Sequence, residues 1–380
     1  MALFFAIFIV LYSILNYYIY ARGLEAISIF PHVKIIYTAF FLFFALAYIF
    51  AKVFEKRLPA GIYEFFSFTG SFWFAAILYF VLSLICIDII RAVNHYFHIY
   101  PQVIIRNYQV IKFAAFAAVL LLTAALLTAG YINGRNIKVK TVNLTLAKKK
   151  SNLNNLNIVL LSDIHISTIN NGSFLKKAVE TINALKPDIV LIAGDLVDEK
   201  AYFLEQKGLG KSLLNIKSKY GVYASTGNHE FFNGAADVIK YLSTCGVTWI
   251  NDTSRFIDGS FYIAGRHDAA INSFPGSKRL PLAEIMKQVD SNYPVILLDH
   301  TPFKLEEAEK LNVDLQLSGH THHGQIFPIN YITSRLYEQD WGYLRKGNTQ
   351  YYVSSGLGTW GPPVKLGNDA EIVNIIVQFK

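Results

Sequence analysis

The stretch S-G-H-T-H-H-G-Q, Ser318–Gln325, places three histidines within four positions of a chain that has ten in 380 residues. Crowded imidazoles serve a metal ion or a proton transfer, and this cluster alone does not choose between the two. Other fragments of the C-terminal half supply partners. In Asp163-x-His165 two groups two residues apart on an extended chain point the same way and can grip one ion. Gly194-Asp195-x-x-Asp198, Gly227-Asn228-His229-Glu230 and the lone His300 of L-L-D-H-T-P follow, and Gly319-His320-Thr321-His322 repeats the i, i+2 pair. Any one fragment arises easily by chance. Five in order argue for a single site.

The elements that must position these residues alternate. N-I-K-V-K-T-V-N-L-T-L reads as a strand, followed by buried-strand runs at 156–163 and 188–195 with a helix over 174–185 between them. A helix reaching about residue 218, the strand of G-V-Y-A-S-T-G-N-H and a helix over 234–242 come next. F-Y-I-A-G, P-V-I-L-L-D-H, a helix around 304–311, V-D-L-Q-L-S-G-H, Y-Y-V-S-S-G and E-I-V-N-I-I-V-Q-F-K complete the chain. This pattern predicts α/β layers. Asp163, Asp195, His229, His300 and His320 all fall where an apolar strand gives out, the side on which open α/β sheets bind ligands. Such groups gathered on one floor would be costly to bury without partners, and metal cations are the natural compensation.

The series D-x-H, G-D-x-x-D, G-N-H-E, H and G-H-x-H resembles the calcineurin-like metallophosphoesterases over about residues 135–380. The resemblance implies a four-layer α/β/β/α sandwich with a two-metal centre between the sheet edges. Carried over, it implies one metal on Asp163, His165, Asp195 and His322 and a second on Asp195, Asn228, His300 and His320, bridged by Asp195. His229 would face the substrate as the catalytic acid. Asp198 and Glu230 would orient ligands rather than bind metal. His323 is left over, placed either to touch substrate or to lie on the rim, with the rim the favoured reading.

Two divalent ions against two carboxylates leave surplus positive charge, which favours a phosphate oxyanion and lowers the pKa of bound water to give a hydroxide near neutral pH. Protonated His229 could then neutralise the leaving oxygen. Mixed nitrogen and oxygen donors suit Mn, Fe or Zn better than Mg. Asp198 is followed by Glu199-Lys200, unlike the D-R-G of the protein phosphatases in this superfamily, and it stands where purple acid phosphatases place a tyrosine. The tail G-H-T-H-x-G-Q … S-S-G-L-G-T … P-P-V-K-L … E-I-V is similar to bacterial membrane-associated phosphodiesterase-like proteins and to transmembrane metallophosphoesterase-domain proteins. That branch includes UDP-2,3-diacylglucosamine pyrophosphatases, so the resemblance implies a phosphodiester or pyrophosphate substrate that is lipid-linked. A phosphomonoesterase localised by its anchor and a non-catalytic membrane scaffold are the alternatives. The aromatic segment 326–363, with Tyr331, Trp341, Tyr343 and Trp360, reads equally as a lid for acyl chains or a cover for the sheet.

The N-terminal part, residues 1–134, is of another kind, with eight Lys/Arg and four Asp/Glu against 27 and 23 in the remainder. Apolar runs at 2–20, 35–54, 68–90 and 113–132 are each long enough for a transmembrane helix, with tyrosines at their ends. The expected organisation is a membrane domain, 1–134, and a catalytic domain, 135–380, in a multi-pass protein of a bacterial membrane. The +8 net charge divides evenly between the two parts and forms no nucleic-acid stripe, so membrane lipids are the expected macromolecular contact. Flanking cations number nine (Lys52, Lys56, Arg57, Arg135, Lys138, Lys140, Lys148, Lys149, Lys150) against five (Arg22, Lys34, Arg91, Arg106, Lys112), a lean towards a cytoplasmic catalytic domain. Asp88 and Arg91, three apart on one helical face, read as a polar site inside the bundle or as a local pair near the interface, and the pair is the expectation because no relay of further acids or histidines accompanies them. Cys86 and Cys245 sit in different parts and make no disulfide framework.

Overall fold

A computed structural model describes residues 2–55, 57–170, 172–274 and 276–380, with side chains from residue 6 onward. Lys56, counted above among the flanking cations, lies outside the described residues. The chain forms two compact units, residues 1–131 with 361–364, and residues 132–360 with 365–380.

The first unit is helical: α1 Ala2–Ala26, α2 Val33–Val53, α3 Ala60–Phe97, the short α4 Gln102–Arg106, and α5 Tyr108–Arg135. Prolines set the starts of two of them. Pro59 and Pro101 stand immediately before α3 and α4, where a fixed φ and a missing N–H cost the helix nothing. Four helices, α1, α2, α3 and α5, are long and apolar enough to cross a membrane. α3 far outruns its apolar stretch, because 38 residues at 1.5 Å each extend about 57 Å, beyond the ~30 Å hydrocarbon thickness. The helices interlock through rings: Trp73 of α3 packs edge-on to Phe41 of α2 at 5.2 Å and gives its indole N–H to Asn16 of α1 at 2.8 Å. A buried indole N–H finds its acceptor here inside the bundle.

The second unit continues with β1 Ile137–Leu146, β2 Asn155–Leu161, α6 Gly172–Ala184, β3 Ile189–Ala193, α7 Ala201–Lys207, β4 Val222–Ser225, α8 Asn228–Phe232, α9 Ala235–Thr244, β5 Val247–Trp249, β6 Thr253–Ile257 and β7 Phe261–Gly265. Then come α10 Leu282–Met286, β8 Val295–Leu298, α11 Glu306–Lys310, β9 Leu315–Ser318, α12 Asn330–Leu336, β10 Gly342–Lys346, β11 Thr349–Val353 and β12 Ala370–Phe379. The helix expected to reach residue 218 stops at Lys207, and a 3-10 turn at Lys211–Asn215 takes its place after the glycines of Gly208-Leu209-Gly210. β5, β6, β10, α8, α10 and α12 have no counterpart in the sequence reading.

The strands make two six-stranded mixed sheets, ordered β1-β12-β2-β3-β4-β5 and β10-β11-β9-β8-β7-β6. Within the first, β2, β3, β4 and β5 run parallel; within the second, β11, β9, β8 and β7 do. Period-two alternation sorts each strand into two cores. Ile158 and Leu160 of β2, with Ile189 and Leu191 of β3, face Ile296, Leu298, Leu315 and Leu317 of the opposite sheet. Val159, Leu161, Val190 and Ile192 turn outward beneath Leu175, Ala178 and Ile182 of α6 and Val238 and Leu242 of α9. On the far side Leu297 packs with Leu282 and Ile285 of α10. The result is the four-layer α/β/β/α sandwich, its parallel strands buried on both faces.

Candidate metal centre

Five strand exits build the site. β2 runs out into Asp163 and His165, β3 into Asp195 and Asp198, β4 into Asn228 and His229, β8 into His300 and β9 into His320 and His322. The first three strands are neighbours in one sheet and the last two are neighbours in the other, so parallel order delivers all five loops to one edge. Asp163, His165 and His300 are inaccessible to solvent, and Asp195 and His322 are 2% exposed.

Three overlapping triads have donor atoms within 4.8 Å of one another: Asp163, His165 and His322; His165, Asp195 and His229; Asp195, His300 and His320. His165 and Asp195 each belong to two of them. His165 Nε2 lies 2.9 Å from His322 Nε2, and His300 Nε2 lies 3.1 Å from Asp195 Oδ2. Asn228 joins through its Oδ1, 2.9 Å from His320 Nδ1. Two imidazole nitrogens so close must share a proton or a cation.

The backbone is bent to achieve this. Asp163, His165, Asp195, His320 and His322 have φ of 51°, 49°, 52°, 72° and 48°. Asp and His tolerate that left-handed region better than most residues, and five such residues in one place mark a strained, over-determined site. Glycines provide the clearance. A Cβ at Gly194, itself at φ +82°, would meet the His300 ring, and one at Gly319 would meet Ser162 Oγ and Asp163 Oδ2.

Hydrogen bonds fix which face each group presents. His300 Nδ1 lies 2.7 Å from the Ala193 carbonyl and donates to it, which turns the buried Nε2 into the cluster, where it faces Asp195 Oδ2. His165 Nδ1 is held by Asp198 Oδ1 at 2.6 Å, so its Nε2 also faces the cluster. The same Asp198 oxygen holds His229 Nδ1 at 2.6 Å. Glu230 lies beneath the site, fully buried, accepting the backbone N–H groups of Asp195, Leu196, Val197 and Gly227 at 2.7–3.3 Å. It thereby ties the loop after β3 to the loop after β4.

Charge follows from these contacts. Burial opposes ionisation of Asp163 and Asp195, but the imidazoles of His322 and His300 beside them hold both below the usual carboxylate range. Asp198 is likewise held low by His165 and His229. Burial would lower His229, yet Asp198 outweighs it and pushes this imidazole up to about 9. Burial moves His322 the other way, down to about 4, leaving it neutral with a lone pair to offer. Burial and the Asp195 charge push Glu230 up to about 7, against the pull of its backbone donors.

The sequence singled out every residue of the triads and missed several that hold them. Ser162 Oγ contacts the Asp163 carboxylate, and the His322 carbonyl accepts from Asn368. His323 turns to Asp340, Nδ1 to Oδ2 at 2.9 Å, an acid that also accepts from Thr333 at 2.7 Å. Ser162 could have been suspected from its place beside Asp163, whereas Asn368 and Asp340 carry no local signal. The aromatic segment divides. Trp341 reaches across to Glu371 of β12 with Lys140 of β1 over its ring, while Tyr331, Tyr343 and Trp360 stay exposed. Trp360 stands beside the site, its ring 6.4 Å from that of His229, and exposed Phe232 lies 5.8 Å from the same imidazole.

This geometry accords with the comparisons to known proteins. The profile of the calcineurin-like phosphoesterase family matches residues 156–324. A metallophosphoesterase of Helicobacter pylori is 35% identical across 57% of this chain, a match that spans only 58% of that relative's length. A transmembrane protein with metallophosphoesterase domain from Danio rerio is 31% identical over 68% of this chain and 62% of its own. A metallophosphoesterase of Aquifex aeolicus is 31% identical over 59% of this chain and 86% of its own length. With its five strand-exit motifs inside or beside the matched region, the chain belongs to the calcineurin-like metallophosphoesterase family.

Proposed function

We infer that this chain is a membrane-anchored phosphoester hydrolase with two divalent cations, cleaving a phosphodiester or pyrophosphate bond of an amphipathic substrate. The observation that carries the reading is the overlap of the triads around Asp195, together with the buried Nε2 of His300 held 3.1 Å from that carboxylate. Buried imidazoles with one nitrogen held by the protein and the other turned into the cluster, beside ionised carboxylates, suit cations of the Mn, Fe or Zn type.

Asp163, His165, Asp195 and His322 would hold one ion and Asp195, Asn228, His300 and His320 the other. The bound ions would supply a hydroxide nucleophile at neutral pH and positive charge for the phosphate oxygens. This chain's own work is to position and to move a proton. His229 carries its proton on an imidazole held by Asp198 Oδ1, and it is one of the partly open members of the cluster, with 22% of its side chain exposed. It can therefore reach a leaving oxygen and protonate it. Glu230 fixes the loop that carries His229, since the Asp195, Leu196, Val197 and Gly227 N–H groups all end on its carboxylate.

The preference for an amphipathic substrate is supported by the exposed rings of Phe232 and Trp360 beside His229 and by the four helices able to cross a membrane. The full-length protein, purified in detergent and loaded with Mn²⁺, should turn over a phosphodiester at least about tenfold faster than the matching monoester. A monoester preference overturns the substrate class, and absence of hydrolysis with Mn²⁺, Fe²⁺ or Zn²⁺ overturns the reading as a whole.

A further inference from the structure

The helical unit holds a charged cluster that tethering does not require. Arg22 and Glu25 of α1, Asp88 and Arg91 of α3 and Lys112 of α5 meet at one end of the bundle. The Asp88–Arg91 pair expected from the sequence forms at 3.6 Å, and Asp88 is held more closely by Arg22 at 2.5 Å and by the Tyr18 hydroxyl at 2.6 Å. Glu25 meets Arg22 at 3.1 Å, Lys112 at 3.4 Å and Arg91 at 3.7 Å. Three cations thus face two acids, and Arg91 has only long contacts. A surplus cation at the edge of a membrane-spanning bundle attracts an anionic counter-charge.

The cluster stands at one end of a half-open cavity of about 940 Å³, the size of a large small-molecule pocket, lined by all four long helices. Its walls are apolar, with Phe41, Phe44, Trp73, Phe80, Phe116 and Leu127 among them. Lys112 at the charged end and Leu127 at the other stand about 22 Å apart along α5 at 1.5 Å per residue, enough for an extended acyl chain. Thr123, on the wall, is 2% exposed and its hydroxyl has no hydrogen-bond partner among the described residues. A helical threonine ordinarily bonds the carbonyl one turn back, so this hydroxyl leaves an unmet hydrogen bond on the cavity surface.

We propose that this cavity is a binding site for one anionic membrane phospholipid, its phosphate on Arg91 and Lys112 and its acyl chains along the aromatic wall. Charge complementarity selects the headgroup: the cluster lacks one negative charge, and basic pockets between membrane helices take anionic headgroups. Arg22 is four residues from the end of α1, which sets the cluster at headgroup level. The inference rests on the helices spanning a bilayer and is independent of the catalytic reading.

The test uses the full-length, delipidated protein in detergent micelles, titrated with phosphatidylglycerol or with phosphatidylcholine of the same chains and followed by native mass spectrometry. One phosphatidylglycerol should bind per chain, about tenfold or more tighter than phosphatidylcholine. R91Q combined with K112Q should erase the preference, and the charge-retaining pair R91K and K112R should keep it. Ala115→Phe, which fills the cavity from α5, should weaken both lipids alike. Equal binding of the two lipids by the wild type overturns the proposal, as does a preference that survives in the double glutamine variant, which would mark annular lipid. Should that variant fail to fold, the wild-type comparison and Ala115→Phe still decide.

Discussion

Asp198→Asn removes one negative charge from a site where a single oxygen serves two imidazoles, His165 and His229, each at 2.6 Å. The exchange keeps the shape of the side chain and an acceptor oxygen. It removes the charge that holds His229 at about 9. If that imidazole returns to its ordinary value near 6.5, the protonated fraction at pH 8 falls from roughly nine-tenths to roughly 0.03, a loss of about 30-fold in available acid. At pH 6 both forms are mostly protonated and the loss is less than about twofold. The assay is turnover of a diester with an alkyl leaving group from pH 6 to 9, with metal content measured on the same samples. The alkaline limb of the variant should move down by about two and a half pH units while metal stays bound. A deficit of equal size at pH 6 and pH 8, with metal retained, refutes the argument that Asp198 keeps His229 charged. The same ion pair has a signature in stability. Because the folded value lies above the unfolded one, its contribution is fully present below pH ~6.5 and is lost as pH rises through about 9.

Other outcomes follow from the same geometry. His229→Ala should lower turnover by roughly 10²–10⁴-fold while leaving metal near two per chain; loss of metal would make His229 a ligand. Chelation should abolish hydrolysis and lower the melting temperature, with both restored by Mn²⁺, because ions at about 1,000 times their Kd add about 4 kcal/mol to the folded state. Glu230→Gln turns an NH₂ group towards two of the four backbone donors now ending on the carboxylate, and should cost about 2–6 kcal/mol in denaturant unfolding. Trp360→Ala should slow an amphipathic diester more than a soluble one, whereas Trp341→Ala should lower stability and leave that ratio alone.

What the sequence made legible was whatever local patterning determines. β2, β3, β4, β8 and β9 are short apolar runs that each end in a polar residue, so both the strand and its functional exit are written in adjacent positions. The apolar lengths of the four long helices were equally plain. Tertiary partners were not. Nothing near Asp88 announces that Arg22, 66 positions earlier, takes its carboxylate, and nothing near His323 announces Asp340. β10 alternates between partly buried and exposed positions and β6 is fully buried only at Ile257; both offer little apolar signal because they lie at sheet edges. α8 was hidden inside G-N-H-E, where a functional motif is also the first turn of a helix.

The left-handed backbone of Asp163, His165, Asp195, His320 and His322 bears on how the protein should be dissected. Alanine at any of them deletes a donor atom and also a residue type suited to that conformation, so an alanine scan would confound folding with chemistry. Asparagine, which shares the tolerance of aspartate and histidine, separates the two effects. A site map drawn with asparagine exchanges should therefore look milder and sharper than one drawn with alanine.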